Sequence, residues 1–190
     1  MSHILYLHGF HSSPYSEKAM LFKRFIEQNH PQLSVIAPQI DVLPGQAVQQ
    51  VTDIFKQYGE QIIGLVGSSM GGYLSTYLHN EFDVKAVVVN PAVKPFELLA
   101  GYLGEQVHPV TNQPYTLEQG HMSELKAIYQ EKLRNPKKVW LLQQEGDEVL
   151  DFRQALNHYQ DCRVTCEVGG NHSFDGFERH LPAIVEFLQR

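Results

Sequence analysis

The sequence predicts an α/β fold: a compact three-layer sandwich in which a mainly parallel, six-stranded sheet is covered by helices on both faces. Three observations lead there. Short β-branched or apolar runs alternate with stretches of helical periodicity almost throughout, the order that builds parallel sheets with two covered faces. The 190 residues suffice for one core of ordinary size and are too few for two comfortable ones, so residues 1–190 read as one domain. A buried strand also runs through Gly67-Ser68-Ser69-Met70-Gly71 straight into a helix.

Taken in order, Ile4–Leu7 reads as a short strand. Residues 16–30 read as a helix with Ala19, Phe22, Phe25 and Ile26 on one face, Ser13-Pro14 ahead of it and Pro31 just past it. Leu33–Ala37 is a second strand, and after the Pro44-Gly45 turn residues 46–58 place Val51, Ile54, Phe55 and Tyr58 at helical spacing. Residues 61–66 form the strand before the glycine-flanked serine, and 72–78 the helix after it, with Leu74, Tyr77 and Leu78 on one face. Lys85–Asn90 is β-branched, uninterrupted and closed by Pro91. Strands over 139–143 and 163–168, a helix over 152–159 and a last helix over 181–189, with Pro182 in its first turn, complete the chain. The second strand is expected beside the first, with the other four stepping away on its far side. The order then reverses between the first strand and the serine strand, and the crevice at such a reversal is where ligands bind.

Only residues 91–136 break the alternation. They hold no convincing strand, and two helices are expected, near 95–103 and 123–134. An insertion at the carboxyl end of a strand would lie over the crevice as a short helical cap. Its Phe96, Leu98, Leu99, Tyr102 and Leu103 are candidates for an acyl-pocket wall, with Phe96, Leu99 and Tyr102 foremost; a helical pair that merely packs on the sheet is the alternative.

Composition narrows the function classes. A formal net charge of −6 with scattered lysines and arginines argues against nucleic acid or an anionic membrane surface as partner. No apolar run approaches the ~20 residues of a membrane span. The first residues pass directly into a strand without the basic start and cleavage site of a signal peptide. Two cysteines, Cys162 and Cys166, fit reduced thiols in a cytoplasm better than a disulfide or a zinc site.

Chemistry centres on Ser69. A serine in so tight a strand-to-helix turn needs small residues two positions away on both sides, which Gly67 and Gly71 supply for Ser69 and which Val66 and Met70 deny to Ser68. Chance alone yields the pentapeptide in roughly one chain of this length in twenty. A serine hydroxyl is a weak nucleophile without a histidine to take its proton and a carboxylate to orient that histidine. Those partners should follow in the order serine, acid, histidine, in loops after later strands. Asp147, after the strand at 139–143, and His172, in the glycine-rich loop after 163–168, satisfy that order. Glu145, Glu148 and Asp151 compete with Asp147, which the preceding Gly146 favours at the tip of the turn. The oxyanion of acyl transfer needs two backbone N–H donors: Met70, directly after the serine, and Phe10, in the loop after the first strand. His8 is expected to brace that loop. His8 and His11 form an H-x-x-H pair without a third ligand, so no metal is expected.

With these segments in view, the chain resembles the α/β-hydrolase superfamily, and within it the small bacterial YqiA-type esterases. The resemblance rests on Tyr6-Leu7-His8-Gly9-Phe10 with Ser12-Ser13-Pro14, on Gly67 to Tyr73, on Val89 to Val93 with Pro95 to Leu99, on Trp140 to Gln144 with Gly146 to Val149, and on Gly169-Gly170-Asn171-His172. It implies an α/β-hydrolase fold lacking the two extra leading strands of larger members. It also implies hydrolysis of a small-molecule carboxylic ester or thioester without a cofactor, by Ser69, Asp147 and His172. The short His-Gly-Phe loop is similar to that of enzymes preferring esters of unhindered alcohols. An acyltransferase would use the same residues, and a non-catalytic ligand receptor could keep the fold. A nucleotide site is disfavoured, since Gly71-Gly72 lacks the Lys-Ser/Thr ending of a P-loop.

Overall fold

The computed structural model describes residues 1–190. Its first half alternates β1 (Ser2–Leu7), α1 (Glu17–Asn29), β2 (Leu33–Ile36), α2 (Pro44–Tyr58), β3 (Ile62–Ser68), α3 (Met70–Phe82) and β4 (Ala86–Val89). The next segment holds α4 (Pro95–Leu98), β5 (Gly104–Val107), β6 (Pro114–Leu117) and α5 (Gln119–Ala127). Then come β7 (Val139–Gln144), α6 (Phe152–His158), β8 (Arg163–Glu167) and α7 (Leu181–Gln189).

The aliphatic runs pair into one six-stranded sheet of order β2-β1-β3-β4-β7-β8, parallel at every junction. β1 therefore lies between β2 and β3, and the order reverses there as expected. Because successive strand residues point to opposite faces, each strand feeds both cores. Leu5, Leu7, Leu65, Val88 and Leu141 pack against Val51 and Phe55 of α2, Leu74 and Leu78 of α3, and Ala155 of α6. Ile4, Tyr6, Val66, Val87 and Trp140 pack against Phe22 and Ile26 of α1 and Ile184, Val185 and Leu188 of α7. The result is the three-layer sandwich. No helix is long and apolar enough to cross a membrane.

Residues 91–136 depart from expectation. The first expected helix is one turn of α-helix, α4, followed by a 3-10 turn over Leu99–Tyr102. An antiparallel hairpin, β5–β6, stands where no strand was expected. Pro109 and Pro114 break the alternation a strand would otherwise display. The buried His108 closes the turn instead: its Nδ1 accepts the Val110 and Thr111 N–H groups, each at 3.1 Å. The second expected helix, 123–134, starts earlier and stops earlier, as α5. Glu118 and His121 cap its first turn, with the Glu118 N–H donating to His121 Nδ1 at 2.8 Å. Its end is set by Asn80 of α3, which donates to Gln130 Oε1 and to the Lys132 carbonyl and accepts the Arg134 N–H, drawing 130–134 out of helix. The whole segment packs around Tyr73, Leu99, Leu117, Met122 and Leu125, against Phe10 and Met70.

Candidate active site

Ser69 occupies the turn between β3 and α3 with φ 54° and ψ −119°, a conformation that costs a non-glycine residue about 1–3 kcal/mol. The surroundings hold it there. The Ser69 N–H donates to the Val89 carbonyl at 3.1 Å, and the Ser69 carbonyl accepts the N–H of Gly72 at 2.9 Å and of Ala92 at 3.1 Å. A Cβ on Gly71 would overlap the Leu7 carbonyl, and one on Gly67 would overlap the Gly71 carbonyl. The turn can form only because both flanking positions lack side chains.

The structure brings His172 and Asp147 to Ser69. His172 Nε2 lies 3.1 Å from Ser69 Oγ, and its Nδ1 lies 2.8 Å and 2.9 Å from the two Asp147 carboxylate oxygens. A carboxylate only accepts, so the imidazole proton sits on Nδ1 and leaves Nε2 as an acceptor facing the hydroxyl. The Asp147 side chain has no exposed surface, and that of His172 is 22% exposed. Burial pushes the Asp147 carboxyl upward. Hydrogen bonds from His172 and from the Leu150 and Val149 amides outweigh it and hold the group below the usual carboxylate range.

None of the rival acids bonds the His172 ring, whose partners are Asp147 and Ser69. Glu148 accepts the backbone N–H of His172 at 2.9 Å, Asp151 caps α6 by accepting the Arg153 N–H at 3.1 Å, and Glu145 is exposed. The His172 loop is tethered from below by two buried amides. Asn90 donates to the Asn171 carbonyl at 2.9 Å and the His172 carbonyl at 3.1 Å. Gln144 Oε1 accepts the N–H groups of Asn171 at 3.1 Å and Asp175 at 2.9 Å. Motif reasoning assigned neither amide a role, although both terminate core strands, where a buried polar side chain is a signal in itself.

The loop after β1 lies against the serine: a Cβ on Gly9 would stand 3.6 Å from Ser69 Oγ. The Phe10 and Met70 N–H groups have no acceptor within the protein. His8 braces the loop, donating from Nδ1 to the Gly9 carbonyl at 2.8 Å and accepting the Ile40 N–H on Nε2 at 3.0 Å. Its neighbour His11 bonds Tyr115 of the hairpin at 2.6 Å.

Two cavities meet at Gly9 and Phe10. A narrow, mainly apolar one of about 30 Å³ is walled by Met70, Leu74, Leu99, Leu125, Ala47 and Ile40, with His8, His11, His108 and Asp41 also on its lining. A polar groove of about 220 Å³ contains Ser69 and His172 themselves. Of the three foremost pocket candidates, Leu99 lines the apolar cavity. Phe96 turns instead to Tyr129, ring centroids 5.8 Å apart, and Tyr102 stands edge-on to Phe10 at 5.6 Å.

A family model described as "Uncharacterised protein family (UPF0227)" matches residues 3–189. The chain belongs to UPF0227. A UPF0227 protein of Vibrio parahaemolyticus is 24% identical to it over 191 residues, which cover 97% of this chain and 98% of that one. Among solved structures, Est1E from Butyrivibrio proteoclasticus with ferulic acid bound aligns with a TM-score of 0.72 at 13% identity, over 100% of this chain and 88% of that one. Mouse alpha/beta hydrolase domain-containing protein 10 aligns with a TM-score of 0.69 at 16% identity, over 98% of this chain and 89% of that one. This UPF0227 chain thus has the α/β-hydrolase fold.

Proposed function

We propose that the protein is a serine esterase or thioesterase acting through an acyl-enzyme. The observation that carries this reading is the uninterrupted path from Ser69 Oγ through His172 to the buried Asp147 carboxylate. Ser69 Oγ forms a bond to the acyl carbon while its proton passes to His172 Nε2, and Asp147 stabilises the imidazolium. The carbonyl oxygen, now an anion, receives the free Phe10 and Met70 N–H groups, the latter at the start of α3 where the helix dipole adds to the effect. Collapse breaks the bond to the leaving oxygen or sulfur, which takes the proton from His172. Water then attacks the acyl-enzyme with His172 again as base, releasing the acid and restoring the Ser69 hydroxyl. No step calls for a cofactor. In this reading residues 91–136 cap the site and Leu99 bounds the acyl pocket. The hydrolase name of a protein sharing the fold supports it, and two free cysteines suit a cytoplasmic setting.

Labelling with a fluorophosphonate probe tests it. Wild type should label and Ser69→Ala should not, and the substitution should lower ester turnover by roughly ten-thousandfold to a millionfold if the three groups act as a unit. A folded wild type that fails to label, or turnover that survives Ser69→Ala, overturns the assignment.

A further inference from the structure

The two cavities that meet at Gly9 and Phe10, of which only the polar one is lined by Ser69, differ in chemistry, and the proton transfers decide what each would hold. His172 must protonate the leaving atom, so that atom lies on the histidine side of the serine. The polar groove is the cavity lined by His172; the apolar cavity, beyond Phe10 and Met70, does not reach it. The leaving group therefore belongs in the polar groove and the acyl chain in the apolar one.

Lys18 stands in that groove, with Ser12, Ser16 and Ser173. Its ammonium donates to the Ser173 carbonyl at 2.8 Å, which uses one of its three N–H groups. No carboxylate lies within 4.0 Å of the Lys18 ammonium, as one does for Lys23, Lys94 and Lys138 but for none of the other lysines. Glu17 shares the rim but is exposed, where water screens it. Burial pulls the Lys18 pKa down, opposed by the charges of Glu17 and Asp147. A half-buried ammonium with no carboxylate within 4.0 Å, in a groove that also holds the nucleophile, is further stabilised by an anion that arrives with a ligand.

We propose that the polar groove binds the leaving group and that Lys18 receives an anionic group, a carboxylate or a phosphate, carried by the departing alcohol or thiol. The substrate is then an ester that is apolar and short on its acyl side and negatively charged on the other. This assignment rests on the esterase reading and adds a substrate class to it.

Two matched pairs of butyrate esters test it: butyryl glycerol against butyryl glycerol 3-phosphate, and phenyl butyrate against 4-butyryloxybenzoate. In at least one pair wild type should prefer the anionic member by about tenfold to a hundredfold in kcat/KM, the range of a hydrogen bond to a charged group. The pair that shows the preference tells phosphate from carboxylate. Lys18→Gln should bring the ratio near one, Lys18→Glu below one, and Lys18→Arg should keep most of it, which guards against a fold lost by substitution. Fluorophosphonate labelling of Ser69 is read in the same samples. Labelling with ratios near one in wild type, with ratios unmoved by Lys18→Gln, or with cleavage of neither member overturns the subsite and leaves the reactive serine standing. Absence of both labelling and cleavage overturns the esterase reading and the subsite with it.

Discussion

Asn90→Ala removes a side chain that joins the end of β4 to two other loops. Asn90 is fully buried. Its amide donates to the carbonyls of Asn171 and His172 and accepts the Gln144 N–H at 2.9 Å. Only one orientation of the amide satisfies two carbonyls and one N–H, so the assignment of its N and O atoms follows from the network. At about 1 kcal/mol each, three buried hydrogen bonds amount to about 3 kcal/mol, and an orphaned Gln144 N–H raises its share. Asn90 also has φ 39°, a region asparagine tolerates and alanine does not, worth about 1 kcal/mol more. The expected destabilisation is about 4 kcal/mol, read by urea denaturation at low temperature where a weakened protein stays folded. Two of the lost bonds tether the loop carrying His172, so kcat on a neutral ester should fall by about a hundredfold with little change in KM. A loss of stability below about 1 kcal/mol, or an unchanged kcat in folded protein, refutes the reasoning.

Other expectations follow from neighbouring features. Gly71→Ala would drive a Cβ into the Leu7 carbonyl, backbone against backbone, and should prevent soluble folding or lower stability by more than about 3 kcal/mol; a variant within 1 kcal/mol of wild type in thermal unfolding contradicts the packing argument. Burial lowers the pKa of His79 and of His8. As pH falls below about 6.5 the unfolded chain takes up these protons first, so stability is complete above that pH and declines below it, by at most about 1.4 kcal/mol per pH unit for each group. Urea midpoints at pH 7.5, 6.5 and 5.5 measure this, and His79→Gln should lessen the slope between them; stability that is flat or rising toward pH 5.5 excludes it.

Local signals made much of this fold legible. Strand and helix alternation is written in residue spacing, and the Ser69 turn announces itself because Gly67 and Gly71 lie within two residues of it. Chain order singled out Asp147 and His172, since each closes a strand that patterning had already marked. Where local cues were weak, reading went astray. Prolines hid the β5–β6 hairpin, and a cap made by Glu118 and His121, with no serine or threonine, hid the start of α5.

Sequence by itself determined the layers, the strand order and the positions where chemistry could sit, because periodicity and turn preference act over a few residues. Tertiary structure alone decided which side chains share a space. Lys18 meets Ser173 across 155 positions and Asn90 meets Gln144 across 54. Both meetings depend on parallel register carrying separate strand ends to one edge, and no short-range preference encodes a hydrogen bond between residues so far apart in the chain. The charge of the groove beside Ser69, and the firmness of the loop holding His172, are therefore properties of the assembled sheet.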